Sequence, residues 1–426
     1  MRQTRPRTAY FTILILLSLS FLTPYPARAD SRDDEISALK EQVQALLKRI
    51  EKLEAAQKTE NVPARPSEQA QPAAATAGNT PQWLDNLRLK GDVRLRYEFQ
   101  ADKGNKNYHR MKIRARAGIL ADINDRMKAA IGIATGRAGD PRSTNVTIGN
   151  SSSANTPASF KDIVLDYAYG SYSPFEWLTV TGGKFHHPLW LPADMLWDTD
   201  INPEGAALTL NYTARPGIRL FANNLFFMLR NDGRTTSKAF MCAFQPGAEL
   251  ALSETVALKA AATYYCMNPV KDKARFSNQA SNTLVNGDYK YDYGVIDAAA
   301  ELRIKEPLGG VVPHVALFGD YVRNVYATKG RSGFDAGIRF GHEKTKALGQ
   351  WQAKVVYIML ERDAWPDIFP DSSRYGGRTN IRGLDCAFQL GIAKNSSLAA
   401  HYYFYESLTA PFAPQHLLQV DWSWSF

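Results

Sequence analysis

The residues from Asn86 to Phe99 alternate strictly between apolar and charged side chains. Leu87, Leu89, Val93, Leu95, Tyr97 and Phe99 fall on one face, and Arg88, Lys90, Asp92, Arg94, Arg96 and Glu98 on the other. Met111, Ile113, Ala115, Ala117 and Ile119 repeat the pattern against Arg110, Lys112, Arg114 and Arg116. Successive side chains of an extended strand point to opposite faces, so this period of two predicts strands with one apolar and one polar face. Alternation sustained over 10 to 14 residues outlasts the usual globular strand of roughly 5 or 6. It suits the roughly 9 to 11 residues that a tilted strand needs to cross hydrocarbon.

Similar segments recur near 126–137, 161–173, 176–187, 204–213, 217–230, 237–253, 255–268, 290–304, 311–326, 332–344, 350–362, 381–394, 397–409 and 415–426, which makes sixteen strands. Links after even-numbered strands are turns, such as Pro174-Phe175, Ser253-Glu254 and Asn395-Ser396. Several links after odd-numbered strands are long: 138–160, 188–203, 269–289 and 363–380. Short turns on one rim and long loops on the other predict an all-β fold, an up-and-down antiparallel transmembrane barrel of about sixteen strands over 82–426. Aromatic residues at strand ends, among them Trp83, Trp177, Trp351, Tyr402, Trp422 and Trp424, suit interfacial girdles. A large soluble all-β protein also alternates, but it does not explain the parity of the links.

Composition is easily misread here. A mean hydropathy of −0.33 with 45% hydrophobic residues looks soluble only because averaging merges the two faces. A helical membrane protein needs several apolar runs of roughly 20 residues. This chain has one such run, the shorter Tyr10–Leu22. It follows Arg2, Arg5 and Arg7 and precedes Ala27-Arg28-Ala29, so 1–29 reads as a secretory signal peptide cleaved after Ala29, with a retained anchor helix as the alternative. Its four arginines and absence of acids mean that cleavage takes the formal charge from +9 to +5, which weakens any case for a nucleic-acid partner.

In 30–58, Ile36, Leu39, Val43, Leu46, Ile50 and Leu53 follow spacings of three and four, an a/d seam that predicts a short periplasmic coiled coil or else a single amphipathic helix. Fewer than four heptads make it marginal by itself. Residues 59–81 are rich in Pro, Ala and Gln and read as a flexible linker.

The chain ends Val420-Asp421-Trp422-Ser423-Trp424-Ser425-Phe426, with Trp422, Trp424 and the terminal Phe426 on one face. That ending looks like the signal by which outer-membrane barrels are recognised by their assembly machinery. With the signal peptide, heptad stub, linker and long barrel, the chain resembles the Gram-negative putative porin family over nearly its whole length. The resemblance implies an outer-membrane porin that passes small hydrophilic solutes or ions passively. It also implies surrounding lipid and lipopolysaccharide, and a homotrimer. The trimer conflicts with the β-branched a and Leu d positions of the stub, which favour two strands. An alternative role is an envelope anchor whose coiled coil contacts the cell wall.

In such a barrel the polar face of each strand lines the lumen. Arg88, Lys90, Arg94 and Arg96 then sit beside Arg110, Lys112, Arg114 and Arg116, with Lys128 nearby. These side chains are either an anion-attracting stripe or a solvated wall whose charges hold the barrel open. The loop Pro188–Pro203 carries Trp190 and Trp197 among Asp194, Asp198 and Asp200. By resemblance to general porins it is the constriction, its acids opposing the wall arginines; a loop packed on its own rim is the other reading. Cys242 and Cys266 fall on adjacent strands, either as a disulfide or as lipid-facing thiols; Cys386 has no evident partner. No metal-binding, cofactor-binding or catalytic motif is present, and a barrel hydrolase built on His187 and nearby serines is the only enzymatic alternative.

Overall fold

The computed structural model describes Lys48 and residues 86–102, 107–149, 158, 160–231, 238–277, 279–308, 311–409 and 413–426. The signal peptide, heptad seam, linker and Trp83 lie outside the described residues. The strands are β1 (Leu87–Asp102), β2 (Tyr108–Asn124), β3 (Met127–Thr135), β4 (Ile163–Phe175), β5 (Leu178–Lys184), β6 (Glu204–Arg215), β7 (Ile218–Arg230) and β8 (Ala239–Ala251). They continue as β9 (Val256–Asn268), β10 (Tyr293–Lys305), β11 (His314–Asn324), β12 (Ser332–Gly341), β13 (Trp351–Leu360), β14 (Ile381–Ala393), β15 (Ser396–Ser407) and β16 (Gln415–Ser425). Each matches one of the sixteen segments that the period of two predicts.

Consecutive strands pair antiparallel, and β16 pairs back onto β1 from Asp92↔Ser425 to Asp102↔Gln415. The sheet is therefore a closed sixteen-stranded cylinder with no free edge. The chain end completes the seam, since the Gly91 and Phe426 backbones exchange two hydrogen bonds of 3.0 Å. A two-residue strand, Val146–Thr147, adds to β2 from the β3–β4 connection.

The outer face is apolar almost all the way round. Leu89, Met111, Ile119, Ile131, Leu165, Leu220, Phe244, Ile296, Leu317, Val355, Leu384, Phe388, Leu398 and Val420 are exposed there. Trp177 and Trp422 lie at the turn rim, while Tyr97, Tyr264, Tyr321 and Tyr402 lie nearer the loop rim. Cys242 and Cys266 are direct cross-strand partners on this face, and all three cysteines are free thiols.

Two-residue turns, Pro216-Gly217 and Lys394-Asn395 among them, use the positive φ of Gly217 (82°) and Asn395 (56°) that tight hairpins require. Inside the barrel, the ring of Tyr167 lies across Gly118 and Gly132, where any Cβ would collide with it.

Leu384→Arg, in the middle of the outer belt, should lower the unfolding free energy in bilayers by about 2–4 kcal/mol, read by urea titration in lipid vesicles.

Candidate functional site: the charged wall and the inward loops

The register of β1 against β2 sets Asp92 opposite Arg116, Arg94 opposite Arg114, Arg96 opposite Lys112 and Glu98 opposite Arg110. Facing like charges are unfavourable unless an acid is interposed. Three acids do this. Asp92 binds Arg114 and Arg116, each at 2.7 Å. Glu98 binds Arg110 at 2.5 Å and Lys112 at 2.9 Å. Asp421, from β16, binds Arg96 at 2.6 Å and Arg94 at 3.7 Å. Six cations thus share three carboxylates, and the wall keeps an excess of positive charge. Arg88 and Lys128 share Asp122 towards the turn rim, and Lys90 lines a cavity there.

The connection 185–203, the third on the loop rim, folds into the barrel rather than over its rim. Its apolar side packs against the inner faces of the far strands. Trp197 is 2% exposed and its ring lies 4.6 Å from Phe369, 5.6 Å from Trp365 and 4.3 Å from His187. Trp190 exchanges backbone hydrogen bonds with the Gln245 side chain at 2.7 and 2.8 Å, and Lys259 sits 4.6 Å from its ring. The other side of the loop presents acids to the basic wall. Asp200 approaches Arg116 at 3.6 Å and accepts hydrogen bonds from Thr144. Asp198 accepts from the Ser372 backbone at 3.1 Å.

A second inward segment, 361–380, locks the first. Arg374, 2% exposed, donates to the Asp194 carboxylate at 2.5 Å, to the Asp194 carbonyl at 2.6 Å and to Asp385 on β14 at 2.7 Å. Burial opposes ionisation of Asp194, but Arg374 and Lys354 outweigh it and hold the carboxyl below the usual range. For Asp198 burial dominates, reinforced by Asp371 and Asp200, and its carboxyl is pushed well above the usual range. Burial pushes the His187 imidazole down to about 4. Enclosed beside Trp197, His187 faces no described serine in hydrogen-bond reach.

These loops overturn one expectation. On β8 to β13 the inward row is largely apolar, with Met241, Ala243, Tyr265, Met267, Val295, Phe318, Val322, Val356 and Ile358 buried against Met195, Leu196, Trp197, Trp365 and Phe369. A sixteen-strand cylinder is too wide for side chains alone to fill, so the inward loops supply the missing apolar partner. Charged residues remain in that half: Asp297, Asp320 and Asp335 lie buried on three successive strands. Among the described residues, no cluster of His, Cys, Asp and Glu has the geometry to hold a metal ion.

The open space lies along the charged wall. A cavity of about 460 Å³ is bounded by Arg94, Arg96, Arg110, Lys112 and Arg114 on one side and by Asp194, Asp198, Asp200 and Asp371 on the other. Towards the loop rim it shares Arg110, Lys112, Ser143 and Asn145 with a cavity of about 500 Å³. Towards the turn rim it shares Arg94, Arg114 and His401 with another of about 460 Å³ that reaches Lys344 and Lys346.

Asp421, Arg374 and Gln245 are the residues that sequence reasoning missed. Asp421 was within reach, because closure of an even-numbered barrel brings its strand beside Arg96. Apolar residues on both faces of β8 and β9 signal a covered interior. Arg374, one of three arginines in the 361–380 loop, carries no such signal.

A closed antiparallel cylinder with an apolar outside and a charged passage inside defines a channel-forming barrel of the outer membrane. The chain matches the family model described as Putative porin over residues 100–293 and 282–426, and it belongs to that family. No curated protein sequence matches it. Among solved structures it is similar to Pseudomonas putida OprB at 12% identity, covering 81% of this chain and 96% of that one, with a TM-score of 0.53. It is also similar to Salmonella typhi OmpF at 11% identity, covering 81% of this chain and 99% of that one, with a TM-score of 0.46. The likeness to OprB shows the fold.

Asp194→Asn leaves the buried Arg374 with Asp385 as its remaining carboxylate, and should cost about 1.5–3 kcal/mol, measured as lost thermal stability of the loop-packed barrel. The raised Asp198 gives a second test. The unfolded chain releases this proton near pH 4, whereas the fold retains it to higher pH, so stability falls as pH rises above about 4 towards the folded value. Melting temperature against pH should show that decline, and Asp198→Asn should flatten it.

Proposed function

We propose that this outer-membrane porin is a passive pore for small hydrophilic solutes and ions, and that they travel along the β1–β2–β16 wall. The observation that carries this reading is the series of cavities sharing lining residues from one rim to the other. The inward loop 185–203 acts as the constriction. Its acids facing the wall arginines set up a field across the passage, which orients dipolar solutes. Since six wall cations share three acids, and Lys344 and Lys346 add charge near the turn rim, the pore favours anions modestly. The N-terminal segment lies in the periplasm. A homotrimer rests on the resemblance to general porins.

Reversal potentials in a KCl gradient across planar bilayers test the path. Wild-type pores should prefer chloride. Arg94→Gln should lower the anion-to-cation permeability ratio by a factor of about two, and Asp200→Asn should raise it similarly. If neither moves it, conduction runs elsewhere.

A further inference from the structure

The two sides of the central cavity are unequally satisfied, and in opposite senses. On the wall, Arg94 holds only a 3.7 Å contact to Asp421, which Arg96 engages through two shorter bonds. Arg94 also donates to Asn145 at 2.9 Å, while its Nε finds no hydrogen-bond partner among the described residues. Lys112 and Arg110 compete for one carboxylate, Glu98. On the loop side the deficit reverses. Asp198 and Asp371 have no ion pair among the described residues; they accept hydrogen bonds from the backbone N–H groups of Asp200, Ser372 and Ser373. Surplus cations and surplus acids therefore line the same cavity, together with Thr199, Ser372 and Ser373.

We infer that this cavity binds zwitterionic solutes of dipeptide size, the carboxylate docking on Arg94 and Lys112 and the ammonium on Asp371 and Asp198. The inference rests on the pore reading above and deepens it by naming a substrate class. A purely anionic solute satisfies the wall but leaves the Asp198–Asp371 pair without a cation. A cation does the converse. Only a solute carrying both charges relieves both sides at once, and a volume of about 460 Å³ lies within the range of small-molecule sites. The extended charge separation of a dipeptide suits a site whose two signs stand on different elements, β1 and β2 for one and the loops for the other.

The test is current block in KCl across planar bilayers, with Ala-Ala, its N-acetylated form and its C-terminal amide as probes. Ala-Ala should reach half-block at a concentration about tenfold lower than either single-charge analogue, as expected for one lost charge-assisted contact. Arg94→Gln should bring Ala-Ala down to the level of its amide, and Asp371→Asn down to the level of the acetylated form. Both variants are first checked for the heat-modifiable gel mobility of a folded barrel, so that misfolding is not mistaken for lost binding. Equal block by the acetylated form would make this a plain anion site and overturn the inference. Equal block by the amide, or no block while KCl current flows, would also overturn it. Absence of KCl current altogether would instead overturn the pore reading beneath it.

Discussion

In hydrocarbon no water is present to satisfy a backbone N–H or C=O, so a membrane-crossing sheet must leave no edge. In this chain the requirement is met where Phe426 pairs with Gly91 and β16 lies along β1. Much else depends on that seam. It brings Asp421 against Arg96, so that the last strand contributes to neutralising the first. It also fixes the strand count as even, which returns the last strand's end to the rim where β1 begins.

Closure creates a second problem, an interior too wide for side chains to fill. The barrel solves it asymmetrically. Two inward loops, 185–203 and 361–380, carry their tryptophans to the apolar inner faces of β8 to β13 and bury Trp365 and Trp197 there. Each large apolar side chain buried in this way contributes about 1.5–3 kcal/mol. The same loops turn Asp194, Asp198, Asp200 and Asp371 the other way, towards the arginines. One loop thus has two faces, and the division between filled core and charged passage runs along it. Arg374 fastens the arrangement by binding Asp194 and Asp385 together.

The strands were legible because their physics is local: alternation reports which face is apolar without reference to any distant residue. The charged wall was legible for the same reason, since Arg94, Arg96, Arg110 and Lys112 stand on two adjacent hairpin strands. What joined these elements was not legible. Asp421 lies 325 positions from Arg96, and Arg374 lies 180 from Asp194. No periodicity encodes such distances. The apolar inner row of β8 to β13 shows the cost of applying the polar-inside rule uniformly, because Met241, Tyr265 and Val295 face inward where a water-filled barrel would place polar groups. Their strands are apolar on both faces, which is the mark of a sheet covered on both sides.

The central claim is that one half of the lumen conducts and the other is packed solid. Cysteine accessibility measures this directly, in a background with Cys242, Cys266 and Cys386 replaced by alanine. A hydrophilic methanethiosulfonate reagent should reduce the single-channel current of the Gln100→Cys variant, whose position lines the central cavity. The Ala299→Cys variant, at an inward position 4% exposed in the packed half, should be indifferent to it. Modification at position 299 that reduces the current while position 100 stays silent would contradict the account.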